Sequence, residues 1–409
     1  MRHVMSWLAA VAVCVAAAGA GEVGPRGVVG TDAKWTAAES GRFARRVIVT
    51  KRSSAGVQAA CDAAGGAGAT LIYLPPGRYV FDATVKVPAG LTLIGAGSKT
   101  VCAAAGPRTH LFETAGDGVR FTRLKLVGAD ATEANTNDSY GIDVRGSQNV
   151  RIDHCELSGF SYATTFADEC TAQVDHCHIH HNLRAGLGYG VAIYSGAYVL
   201  VTDNRFAQNR HSLASNGTLN WSSPKHLGKY VHKPGRKTHW EFVRNLVGTN
   251  DASKYELCAV DTHPGMDGTF VIEGNVFEGC RLAVGIRDGS GIIRGNRFRE
   301  PHSKAGRSLT GILVRYGKHN DIPVEGCMPN NIRIEGNTFQ AKAGIKYSRY
   351  SIGRAENVWI DGERVESTKG GRAAPAIPRL KAMAADGVLR WRVRERPGGD
   401  ESPASRPAR

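Results

Sequence analysis

One short pattern recurs along this chain and limits its possible folds more than any other feature. It is clearest as Phe270-Val-Ile-Glu-Gly-Asn-Val-Phe277, Ile292-Ile-Arg-Gly-Asn-Arg-Phe298 and Ile332-Arg-Ile-Glu-Gly-Asn-Thr-Phe339. Weaker copies run earlier, at Gly118–Gly128, Asn149–Gly159, Gln173–Ile179, Val199–Phe206 and Trp240–Val247, and a decayed one closes the series at Asn357–Val365. The pivots are Cys155, Cys177, Asn204, Asn245, Asn275, Asn296 and Asn337, with gaps of 22, 27, 41, 30, 21 and 41 residues. A short base period with two larger insertions is the mark of a solenoid. Between copies lie short alternating segments such as Gly141-Ile-Asp-Val-Arg145, Val191-Ala-Ile-Tyr194, Ala283-Val-Gly-Ile-Arg287 and Gly311-Ile-Leu-Val-Arg315. Their period of two predicts strands, and they are too short for helices.

One such unit cannot bury its own apolar side chains, but stacked units make a continuous core. Coils stacked about 4.8 Å apart bring equivalent residues into ladders. An Asn at the same place in each coil can then hydrogen-bond along the stack. Glycine, at 50 of 409 residues, suits tight corners where φ is positive. The expected fold is a parallel β-helix rather than the two or three domains that length alone suggests.

The ends differ from the repeat. Residues 1–20 read as a secretory signal, with Arg2 and His3, an apolar run from Trp7 to Ala18, and Ala18-Gly19-Ala20 as the cleavage site. The run is too short to span a bilayer, so no integral membrane segment is expected after cleavage. The expected location is secreted, periplasmic or cell-envelope. Residues 21–54 form a lead-in, 55–365 the β-helix, and 366–409 a basic C-terminal segment with a disordered tail from Arg396. The net charge of +15 serves solubility and loose surface contact on one reading and attraction to an anionic polymer on the other. Export and the lack of any nucleic-acid module argue against nucleic acid. A monomer is expected. Beyond the leader stand Cys61, Cys102, Cys155, Cys170, Cys177, Cys258, Cys280 and Cys327, whose pairing cannot be read from spacing. Cys155 and Cys177 share a ladder position, as free thiols or as a cross-coil disulfide.

These repeats resemble the right-handed parallel β-helix superfamily of pectin and pectate lyases. Ala55–Ala64 matches its capping helix, and Ile72–Val80 with Leu91–Gly97 its first coils. The resemblance implies an all-β, single-stranded right-handed parallel β-helix solenoid with an N-terminal capping helix. Asn149-Val-Arg-Ile-Asp-His-Cys155 is similar to a pectate lyase segment, but the R-x-P-x-x-R arginine motif is missing. The acidic motifs of the polygalacturonases are missing too. An inverting hydrolase needs two carboxylates about 6.5–9.5 Å apart.

Chemistry is expected on one outward column. Aligned on their last inward apolar residue, three strands place Asp261 after Val260, Arg287 after Ile286 and Arg315 after Val314. His263 follows Asp261 closely, and Arg210 and His211 lie one coil earlier. The insertion 217–238 contributes Trp221 and Lys225 to a basic wall. A uronate lyase needs cations for the carboxylate, a base for the C5 proton and an acid for the leaving oxygen. The expected catalytic residues are His263, Asp261, His211 and Arg287, with Arg315, Arg210, Lys225, Trp221 and Tyr194 binding substrate. Either histidine can be the base. Asp261-Thr-His263 is similar to the Asp-Pro-His segment of alginate C5-epimerases, with Cys258 where their tyrosine is expected. No metal ligand set and no cofactor is assigned. Calcium is an option through Asp130, Glu133, Asp138, Asp168 and Glu169. His154, His176, His178, His180 and His181 occupy repeat strands and turns, and are read as structural or surface residues.

The expected function is thus a lyase or C5-epimerase acting on an acidic, uronate-containing polysaccharide. A non-catalytic glycan-binding or matrix β-helix is the second reading, and a glycoside hydrolase the third.

Overall fold

A computed structural model describes residues 23–31, 33–34, 43, 45–65, 69–217, 235–252, 257–316, 318–319, 322–323, 327–365, 377–383 and 390–395. The chain winds into a right-handed parallel β-helix. Among the described residues it forms one 13-stranded sheet and two 10-stranded sheets, and consecutive coils are hydrogen-bond neighbours in each. No described helix is long and apolar enough to cross a membrane.

The repeat sets the register. Ile152, Val174, Val201, Phe242, Ile272, Ile293 and Ile334 are successive partners in the 13-stranded sheet. All seven are fully buried, so the inward column is an unbroken apolar ladder. The phenylalanine that ends each clear copy stacks likewise, with Phe277, Phe298 and Phe339 centroids 5.0 and 4.7 Å apart.

The pivots form the expected hydrogen-bond ladder. Oδ1 of Asn245 accepts the backbone N–H of Asn204 at 2.9 Å, and Asn275 serves Asn245 at 2.8 Å. Asn296 and Asn337 continue the chain at 2.9 and 3.0 Å. A second ladder, which the sequence pattern did not reveal, links Phe160, Asn182 and Asn209 at another corner.

The residue just before each pivot lies in the left-handed region. Gly274 occupies it at φ 65°, while His154 and His176 occupy it at 50° and 54°. Each histidine is tethered there, its Nδ1 2.8 Å from Asp153 or Asp175. Two of the five clustered histidines are therefore corner residues.

The helix Ser54–Ala64 caps the open end. Ser53 Oγ accepts from Gly56 N at 3.2 Å, and Val57, Ala60, Cys61 and Ala64 are buried. The lead-in runs along the corner ladder, held by Gly24 N to Gly274 O (2.9 Å) and Gly30 N to His176 O (2.7 Å). Arg123 Nε completes it on Ala33 O at 2.8 Å.

An antiparallel hairpin, Ile377–Lys381 with Arg390–Glu395, lies within the segment expected to be merely basic. It covers outward apolar residues of the 13-stranded sheet. Leu380 packs on Leu200 and Val243, and Ile377 on Val271 and Ile292. Arg379 reaches Glu241 at 3.3 Å and Glu273 at 2.6 Å. The tail from residue 396 lies outside the described residues.

All eight described cysteines are free thiols, including the stacked Cys155 and Cys177. Burial pushes the Cys61 and Cys280 thiols up to about 12, so both behave as apolar core groups.

Candidate functional site

The 10-stranded sheet that contains His211–Ser215, Val260–Thr262, Leu282–Ile286 and Leu309–Val314 carries the site on its outer face. Leu213, Val260, Val284 and Ile312 are in register and fully buried. The alternate positions Ala214, Asp261, Gly285 and Leu313 must therefore point away from the core.

This register corrects the expected column. Asp261 is level with Gly285 and Leu313, two residues short of Arg287 and Arg315. The cause is Thr262, which occupies the inward column opposite Ile286 and Val314. It is fully buried and satisfied by donating to Asp288 O at 3.0 Å. A polar residue in a core position hid the true end of the strand. A shift of two preserves the face, so Asp261, Arg287 and Arg315 still line one cavity. Gly285 leaves the space that Asp261 needs. A Cβ there would stand 2.6 Å from Cys258 Sγ and 3.3 Å from Asp261 Oδ1.

The cavity has a volume of about 920 Å³. Asp261, only 2% exposed, is its centre. The Arg287 fork grips both carboxylate oxygens, with Nε 3.1 Å from Oδ1 and Nη2 on Oδ2. His263 Nε2 lies 3.2 Å from Oδ2, and His211 Nε2 lies 3.8 Å from the same atom. Burial acts to raise the Asp261 carboxyl, but Arg287 and then the two histidines hold it far below the usual carboxylate range.

The two histidines differ. His211 Nδ1 sits 2.6 Å from the Cys258 carbonyl, which can only accept. Nδ1 therefore carries the hydrogen, and in the neutral ring Nε2 presents a lone pair to the cavity. Burial drives the His211 pKa well below its ordinary value, only partly opposed by Asp261. The His263 pKa is lowered too, by burial first and then Arg287.

Tyr189 stands one coil before His211 and in register with it. Its ring lies 5.4 Å from that of His211 and 5.9 Å from that of His263. Arg210 Nη1 lies 3.0 Å from Leu187 O and 3.4 Å from the Tyr189 hydroxyl. Arg210 Nε is buried with no hydrogen-bond partner. No carboxylate among the described residues pairs with Arg210 or Arg315, and Arg281 lines the same cavity.

His211, Asp261 and His263 present ligand atoms within 4.8 Å of one another, which is the spacing of a metal site. The neighbourhood does not suit a cation. Both Asp261 oxygens already hold Arg287, whose charge repels an ion from the same place. Among the described residues the five carboxylates considered for calcium do not gather into a ligand set. Asp138 pairs with Arg184 at 2.8 Å, and Asp168 with Arg145 at 3.5 Å.

The fold thus brings together seven of the expected site residues: His211, Asp261, His263, Arg287, Arg210, Arg315 and Tyr194. Trp221 and Lys225 lie outside the described residues. Tyr162, Tyr189 and Arg281 were missed, although all three line the cavity. A signal existed for the tyrosines. Tyr140, Tyr162 and Tyr189 are spaced 22 and 27 residues apart, the same gaps as Cys155, Cys177 and Asn204.

Residues 109–227 match the family described as a right handed beta helix region. A comparison with curated proteins gave no match. Among solved structures, the chain is similar to an alginate lyase from Paenibacillus sp. str. FPU-7, at 14% identity and a TM-score of 0.42, covering 78% of this chain and 99% of that one. It is also similar to DFA-IIIase from Arthrobacter chlorophenolicus A6, at 11% identity and 0.44, over 78% and 91%. The A-module of the Azotobacter vinelandii mannuronan C-5 epimerase AlgE6 is similar at 15% identity and 0.38, over 78% and 95%.

Proposed function

We propose that this β-helix is an exported enzyme that abstracts the C5 proton of a uronate residue in an acidic polysaccharide. One observation carries this reading: a lone-pair-bearing His211 Nε2 faces a cavity that also holds the guanidinium groups of Arg210 and Arg315, which pair with no carboxylate among the described residues. Anionic substrate and neutral base are the two partners that such a cavity suits.

Arg210, next to His211, takes the uronate carboxylate and stabilises the charge that develops when C5 loses its proton, and Arg315, three coils further on, adds positive potential to the same cavity. His211 Nε2 accepts that proton, and the resulting imidazolium is stabilised by Asp261 at 3.8 Å. Arg287 and His263 keep the Asp261 carboxylate ionised and oriented. Tyr189, whose pKa burial raises, retains its proton at neutral pH and is the acid. If Tyr189 protonates the departing O4, the C4–O4 bond breaks and a C4=C5 double bond forms. If instead Tyr189 gives its proton to C5 from the other face while the C4–O4 bond stays intact, the product is the C5 epimer.

The test is direct. The purified protein is incubated with polyuronates and uronate-containing glycans. Ultraviolet absorbance reports the unsaturated product, and NMR reports C5 inversion. Absence of both on every polymer overturns the proposal. Polymer binding without turnover would leave the glycan-binding reading in its place.

A further inference from the structure

Outside the catalytic cluster, the same face of the sheet continues toward the N-terminal coils with a different character. Tyr140, Tyr162, Tyr189 and His211 are successive partners in register, with ring centroids 4.6, 5.3 and 5.4 Å apart. The stretch covers about 14 Å of the tube axis at the usual interstrand spacing. Tyr140 and Tyr162 are half-buried and present a neutral, phenolic surface.

The cations on this stretch are already matched. Arg145 lies 2.9 Å from Asp143 and 3.5 Å from Asp168. Arg184 lies 2.8 Å from Asp138, and Lys86 lies 3.9 Å from Glu113. Beside the tyrosines runs the outward column Asp143, Thr165, Ala192, Ala214 and Asp261. Asp143 is 8% exposed, and its Oδ1 has no hydrogen-bond partner. Thr165 Oγ1, its neighbour, has none either. Both atoms are shielded from solvent, so the Asp143 charge acts through space on whatever lies over the tyrosines rather than by direct contact. A second uronate here would meet Arg145 already shared between two carboxylates, Asp143 and Asp168, a group of net negative charge. Toward the C-terminal coils the balance reverses, with Arg210 beside His211 and Arg315 three coils beyond it both lacking a carboxylate partner among the described residues, and Arg281 lining the same cavity.

Resting on the reaction proposed above, we infer that the sugars bound over Tyr140 and Tyr162 are uncharged. The substrate class is therefore a mixed polysaccharide, in which each reacting uronate is joined on that side to a neutral sugar. Homopolymers of uronate place a carboxylate near Asp143 and Asp168, which share the one cation Arg145, and are disfavoured by like-charge repulsion.

The experiment has two readouts. Initial rates are compared on polygalacturonate and alginate against hyaluronan and unsulfated heparosan, whose uronates alternate with an uncharged N-acetylhexosamine. The expected kcat/KM is at least about tenfold higher on an alternating polymer. Equal or faster turnover of the homopolymers overturns the inference. In parallel, calorimetry measures the affinity of the His211→Gln protein for matched-length oligosaccharides of both kinds. If no polymer is turned over but the mixed oligosaccharide binds more tightly, the reaction proposal fails and the inference on binding stands. If the homopolymer binds as tightly or more so, the inference fails whatever the rates. The Asp143→Arg protein, with an intact catalytic cluster, is expected to shift binding preference toward homopolyuronate. An unchanged preference also counts against the inference.

Discussion

His211 keeps one ring nitrogen on the Cys258 carbonyl, and that hydrogen bond of 2.6 Å decides which nitrogen faces the cavity. The consequence appears in pH dependence. A free histidine titrates near about 6.5, and burial holds folded His211 well below that. The proposed base is thus unprotonated at neutral pH, and kcat/KM is expected to stay level below pH 6.5 before falling in acid. A fall centred above pH 6.5 would exclude His211 as the base. Replacing it by Gln should lower kcat/KM by about 10²–10⁴-fold. Asp261→Asn should also reduce turnover strongly, because the imidazolium loses its counter-charge. Stability follows the same sign. The unfolded chain binds protons on histidines more readily than the fold does, so stability is full above about pH 6.5 and declines as pH falls through the folded value. His178, lowered to about 4 chiefly by burial, contributes in the same direction. Thermal unfolding recorded from pH 7 to pH 4 should show this decline, with a smaller slope in the His211→Gln protein.

Each coil is held to the next by more than its strands. Asn275 Oδ1 accepts from the backbone N–H of Asn245 at 2.8 Å and from its side-chain amide at 3.1 Å, while its own Nδ2 donates to Phe242 O at 2.8 Å. All these groups are buried, so Asn275→Ala strands several polar atoms without water. The expected cost is about 3 kcal/mol or more, at roughly 1–3 kcal/mol per orphaned group. Urea unfolding measures it, and a loss under 1 kcal/mol would mean that the ladder is not a principal support. The ladder was legible in the sequence because one residue type recurs two places before an apolar residue. The second ladder, Asn182 on Asn209, was not, since two rungs make no period. The strand end at Val260–Thr262 was misread for a related reason. Inward positions are ordinarily apolar, whereas Thr262 meets its hydroxyl's needs through Asp288 O at 3.0 Å.

On the scale of the molecule, the tube carries separate attachments on separate faces. The hairpin at Ile377–Lys381 covers the 13-stranded sheet, whereas the cavity opens on a 10-stranded one. Arg379 compensates Glu241, a carboxylate only 1% exposed. Arg379→Ala should destabilise the protein by about 3–5 kcal/mol, because a buried charge loses its partner. Turnover per folded molecule should be unchanged at low temperature, since the site lies on another sheet. A specific loss of kcat with stability intact would show coupling between the two faces. Outward Leu200, Val243, Val271 and Ile292 are explained only by this cover, and no local pattern announces it.

The sequence alone determined the solenoid, its core ladder, its Asn ladder and seven residues of the cavity. Those features depend on period, and a period of two within a strand or one per coil survives being read in one dimension. It also placed Asp261, Arg287 and Arg315 on one outward face, because face depends only on parity. Tertiary structure decided what depends on register and on distant partners. It moved Asp261 level with Gly285, aimed His211 Nε2 at the cavity through a carbonyl 47 residues away, and set Tyr189 beside it. It also separated matched cations from unmatched ones. That distinction comes from which carboxylate each guanidinium reaches across coils, and distance between coils is not written in the order of residues along the chain.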